Sequence, residues 1–131
     1  MKWIDATTLK NWASSRDCQE NLPFVIQRLV RATSTDISNI AFPSGNSIIY
    51  SGWDGILEVI KGNEYIPEGL SVWEIGTNEN IKKKANDDYQ KRKENTLGID
   101  AKETTFFFVT PRIWPTKDSW AKEKKASLKT L

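Results

Sequence analysis

Two carboxylates sit where an acid asks for a chemical reason. Asp54 lies in Ser51-Gly52-Trp53-Asp54-Gly55-Ile56-Leu57-Glu58, between glycines and otherwise among strand formers. Glu74 lies in Leu70-Ser71-Val72-Trp73-Glu74-Ile75-Gly76, inside an apolar, strand-like run. A charge is costly to bury unless it is paired or bound to metal. Side chains alternate along strands, so the two acids can share one face of neighbouring strands. Converging carboxylates repel, which favours a divalent cation between them. Oxygen ligands suit magnesium or manganese, and such an ion polarises a phosphoryl oxygen and makes water a better nucleophile. The plainer readings are a turn residue for Asp54 and a buried ion pair with a lysine for Glu74.

Positive charge follows directly. Lys84, Asp88 and Lys91 fall at i, i+4 and i+7 and so share a helical stripe. Either lysine could reach a phosphate or orient an attacking water; the plainer reading is a solvated face with ion pairs. The chain has no histidine and a single cysteine, Cys18. That removes Ser-His-Asp and Cys-His chemistry in their common forms, and imidazole zinc sites with them. Any catalysis must come from carboxylates, lysines and a hard cation.

The bulk properties set the frame for these residues. At 131 residues the chain suits one domain, 1–131, large enough for a core without disulfides. With 38% hydrophobic and 27% charged residues it reads as globular. The net charge of +2 alone does not argue for nucleic acid, but lysines and arginine crowd 82–93 and lysines fill 117–129. No apolar stretch approaches the roughly 20 residues of a membrane span, and the N-terminus lacks a secretory hydrophobic core. A lone cysteine makes the cytoplasm the simpler compartment. The six tryptophans are scattered, which favours core packing over a base-stacking platform.

The positioning elements can be read from periodicity. Residues 6–14 predict a short helix capped by Thr7 or Thr8. Residues 17–33 predict a longer one, with Asp17 and Glu20 as a capping box and Leu22, Val25, Ile26, Leu29 and Val30 facing the core. Strand character covers Ile37 to Phe42, a turn at 43–46 and a short run at 48–50. Gly52 to Ile60 and Leu70 to Ile75 predict two further strands. A polar helix over 79–95 starts at Asn78 or Asn80. Thr104 to Val109, with Phe106, Phe107 and Phe108 in a row, predicts a strand buried on both faces. A last helix begins after Thr116. The order α-α-β-β-β-α-β-α implies an α/β domain around one mixed sheet. A final helix with no closing strand suggests that the chain is the N-terminal piece of a larger protein.

Asp54-Gly55, followed on the next strand by Glu74-Ile75-Gly76, resembles the core of the PD-(D/E)-x-K restriction-endonuclease-like nucleases. The wider pattern is similar to Mrr-like nuclease domains at the N-terminus of bacterial antiphage STAND NTPase proteins. It runs through Phe42-Pro43-Ser44-Gly45, Gly52-Trp53-Asp54-Gly55, Trp73-Glu74, Lys84-Ala85-Asn86, Asp88-Tyr89 and Lys91-Arg92. The resemblance implies a restriction-endonuclease-like core, a mixed central sheet flanked by helices. It implies a metal-dependent DNA endonuclease with magnesium or manganese on Asp54, Glu74 and the Ile75 carbonyl. It also implies double-stranded DNA as substrate, no membrane partner, and self-association driven by a C-terminal NTPase or sensor region. The family's lysine two residues after the second acid is Gly76 here, so its role passes to Lys84, or else to Lys91. Glu20 matches the place of a further helical acid. The missing lysine leaves open a degenerate module of the same fold that only binds DNA or oligomerises.

Overall fold

The computed structural model describes residues 5–42 and 52–129. The turn at 43–46, the short run at 48–50 and Trp3 lie outside the described residues.

Two helices open the chain. α1 (Ala6–Ala13) is capped by Asp5, whose side chain accepts from the Thr8 N–H at 2.7 Å. The cap is thus two residues before Thr7 and three before Thr8: an acid beside the exposed N–H groups outcompetes a hydroxyl. α2 (Arg16–Thr33) is capped by Ser15, which accepts from the Cys18 N–H. Asp17 therefore lies inside the first turn, where it accepts from Trp12 Nε1 at 2.6 Å and ties α1 to α2. The expected Asp17–Glu20 capping box does not form. Pro23 sits in the helix interior, which nonetheless continues to Thr33.

Four strands make one sheet in the order β1-β2-β3-β4: β1 (Ile37–Ala41), β2 (Gly55–Val59), β3 (Gly69–Ile75) and β4 (Thr104–Val109). β1, β2 and β3 run antiparallel, and β4 lies parallel to β3. A parallel neighbour needs a crossover, which α3 (Ile81–Glu94) supplies between β3 and β4. Asn80 caps α3 by accepting from the Lys83 N–H. α4 (Lys117–Lys129) closes the order α-α-β-β-β-α-β-α. The chain is therefore a mixed α/β arrangement with helices on both faces of the sheet.

The faces follow from strand alternation. Cys18, Leu22, Ile26 and Val30 of α2 pack against Leu57, Val59 and Trp73, with Phe107 and Val109 beside them. On the other face Ala85 and Tyr89 of α3 and Trp120 of α4 pack with Phe106 and Phe108. The phenylalanine run thus divides between the faces, Phe107 stacking on Trp73 at 4.2 Å and Phe106 meeting Tyr89 edge-on. Both faces are covered, but β4 is the sheet edge and stays half-buried along its whole length. Density of β formers alone does not distinguish an edge from a centre. Trp53, Trp73 and Trp120 are buried, and Trp12 and Trp114 pack against the two core clusters.

Candidate functional site

The β2–β3 ladder brings the two acids together. Gly55 pairs with Trp73, so Asp54 and Glu74 stand opposite each other one step beyond that pair. Trp73 faces α2, hence Glu74 faces α3. Asp54 is fixed by its own strand partner: its Oδ2 accepts from the Ile75 N–H at 2.8 Å. Ile75 thus contributes its N–H to the site, and its peptide stands beside the acidic pair.

Glu74 is 4% exposed. Burial pushes its carboxyl up to about 8; a hydrogen bond with Asp54 and that residue's negative charge push the same way, against Arg92. Arg92 Nε donates to Glu74 Oε1 at 2.5 Å from the last turn of α3. Its guanidinium also lies over Trp53, 4.9 Å from the ring centroid. Gly52, at φ +78°, turns the chain here, and a Cβ on it would meet Arg92 Nη1 at 3.4 Å. The raised Glu74 carboxyl therefore faces Asp54 on one side and Arg92 on the other.

Lys84 takes up the space beside Gly76. A Cβ built on Gly76 would lie 2.9 Å from Lys84 Cγ and 2.8 Å from Phe108 Cζ. The lysine stem thus passes across Gly76, and glycine is what leaves room for it. Lys84 Nζ pairs with Asp88 Oδ1 at 2.9 Å. Asp88 is itself buried, and its Oδ2 finds no hydrogen-bond partner among the described residues. Lys84, Asp88 and Arg92 make one i, i+4, i+8 stripe along the sheet-facing side of α3.

The structure places the other two candidates elsewhere. Lys91 is exposed, and its backbone carbonyl accepts the N–H of Asn95 at the helix end. Glu20 is an exposed i,i+4 partner of Arg16 on α2, the helix packed on the opposite face of the sheet. Arg92 is the residue beside the acidic pair that the sequence did not single out. Its signal was its spacing of four from Asp88, but a stripe through Lys91 fits helical periodicity equally well. Cys18 is fully buried, and burial pushes its thiol up, so it offers no ready nucleophile.

The donor set suits a hard cation. Both converging groups are carboxyls, and the raised Glu74 carries a proton that a divalent ion would replace. No three His, Cys, Asp or Glu side chains among the described residues gather closely enough to cage an ion. A cation here would rest on Asp54, Glu74 and backbone or solvent oxygens, as magnesium commonly does. No described helix is long and apolar enough to cross a membrane. Comparison with protein-family models, curated proteins and solved structures finds no match.

Proposed function

We propose that the domain is a metal-dependent endonuclease that hydrolyses DNA phosphodiesters at Asp54 and Glu74. The observation that supports this reading is the convergence of a buried carboxylate, Glu74, pushed up to about 8, with the half-buried Asp54. Asp54 and Glu74, with the Ile75 carbonyl, would hold magnesium or manganese. That ion, when bound, supplies charge stabilisation at the phosphate and a more acidic water. Asp54 is kept in place by the Ile75 N–H, so its orientation does not depend on the ion. Arg92, on Glu74, and Lys84, beside Gly76, would offset charge developing on a phosphoryl oxygen. Asp88 holds the Lys84 ammonium.

Plasmid cleavage in magnesium or manganese tests the proposal, with EDTA, Asp54→Asn and Glu74→Ala as controls. Asn can still accept from the Ile75 N–H, so the fold should persist while cutting is lost. Normal cutting by Asp54→Asn would remove the assignment.

The hydrogen bond by which Arg92 occupies Glu74 and the glycine at position 76 favour a second reading: a degenerate module of the same fold that binds DNA without cutting it. Calorimetry separates the two. Divalent binding that needs Glu74 supports the enzyme; DNA binding with no divalent binding supports the module. The antiphage setting implied by the resemblance makes self-association the proposed trigger. Fusing the domain to an inducible dimeriser should then raise cutting, and equal activity with and without dimerisation would dismiss that trigger.

A further inference from the structure

The half-buried edge of the sheet carries the most informative unassigned surface. Three cavities of about 100, 360 and 900 Å³ lie there in succession. The first two share Tyr89, Thr104 and Phe106 as walls, and the second and third share Phe106, Trp120 and Ala121. They form one groove running from the end of α3 past β4 to the start of α4. Arg92 lines its first section and also holds Glu74, so one side chain links the groove to the acidic pair.

Its chemistry is aromatic and cationic. Phe106, Phe108 and Trp114, each half-buried, line the walls. The ionised groups along the groove are Arg92, Lys93, Arg112, Lys117, Lys124 and Lys125, against one acid, Asp118. Lys124 already lies over the Tyr89 and Trp120 rings at 5.4 and 5.9 Å, so cation and aromatic surfaces interleave. A polyanion with flat apolar rings matches this pattern: cations track its phosphates while aromatic side chains meet its bases. A duplex hides its base faces and offers only phosphates and groove edges.

We propose that this groove is a track for single-stranded nucleic acid leading to the Asp54–Glu74 pair. The proposal deepens the nuclease reading by naming an unpaired strand, where the family resemblance implies a duplex. Binding along the track does not itself require metal or cleavage.

Fluorescence anisotropy in EDTA tests it on the 131-residue chain, using a labelled oligothymidine, a hairpin duplex of equal phosphate count and an abasic strand of equal length. The expected result is oligothymidine bound at least about tenfold more tightly than either competitor, weakening steeply with salt. The double variant Lys117→Glu/Lys125→Glu, both exposed on α4, should lose about tenfold or more of that affinity. Lys82→Glu/Lys83→Glu changes the same charge on exposed α3 positions outside the groove and should leave it nearly unchanged. Equal binding of duplex or abasic strand overturns the proposal, as does equal damage by the two double variants. A concentration-dependent dimer abolished by Lys117→Glu/Lys125→Glu, with no oligothymidine binding, would assign the edge to a second copy instead. Because the assay excludes metal, strand binding together with no divalent binding by calorimetry would sink the nuclease reading alone, and metal-dependent cutting without strand binding would sink the track alone.

Discussion

Replacing Glu74 by Gln gives the sharpest probe of the acidic pair. Glutamine keeps the shape and imitates the protonated carboxyl: its oxygen can accept from Arg92 and its amide can donate to Asp54. The glutamate carboxyl ordinarily titrates near 4.5 and is pushed up to about 8 in the folded chain. A carboxyl raised on folding contributes stability that is fully present below its unfolded pKa. That stability is lost as pH rises, because the unfolded chain releases a proton which the folded chain retains. The window here is pH 4.5 to 8. At about 1.4 kcal/mol per pH unit, the wild type should lose about 3 kcal/mol between pH 4.5 and 7 through this group. Glutamine has no proton to release, so the difference between the two stability curves isolates the effect. For a domain of this size about 3 kcal/mol corresponds to roughly 10 °C in Tm. The assay is urea or thermal unfolding at half-unit steps from pH 5 to 8.5, in EDTA and in saturating magnesium. Glu74→Gln should gain on the wild type steadily with pH in EDTA. Magnesium should restore the wild type at high pH and leave the variant unmoved. Parallel curves from pH 5 to 8 would refute the raised-carboxyl reasoning, and an equal magnesium effect on both proteins would refute the ligand role of Glu74.

Three further outcomes follow from the same geometry. Gly76→Ala should cost about 1–3 kcal/mol in urea unfolding, because its Cβ would press on Phe108 and the Lys84 stem; Gly76→Lys should therefore destabilise the domain instead of improving it. Arg92→Ala should remove an influence that lowers Glu74. It should thus extend the pH-dependent loss of stability to higher pH, read by the same unfolding series. Ser15→Ala should lose about 1 kcal/mol by removing the α2 cap, whereas Thr7→Ala should be nearly silent because Asp5 caps α1.

Periodicity alone determined much of this protein. The order of the eight described elements, the acids at the end of one strand and inside the next, and the Leu22, Ile26 and Val30 stripe of α2 follow from spacing that any chain of this pattern must obey, but Leu29, expected on that stripe, is 60% exposed. The absence of histidine and of a second cysteine limited the chemistry before any fold was known. Tertiary structure decided what depends on partners distant in sequence. Helical spacing admits either Lys91 or Arg92 over the sheet, and only the packing of α3 sets Arg92 against Glu74, 18 residues away. Cap choice at α1 and α2 turned on which side chain stood nearest the free N–H groups, a matter of backbone geometry more than residue type. The phenylalanine run announced a strand on its own, but its place at the sheet edge depended on which strand it joined, and a local pattern does not encode a neighbour. The shifted carboxyl of Glu74 is the clearest case: composition shows two acids, and only folding removes the water that would have kept both of them charged.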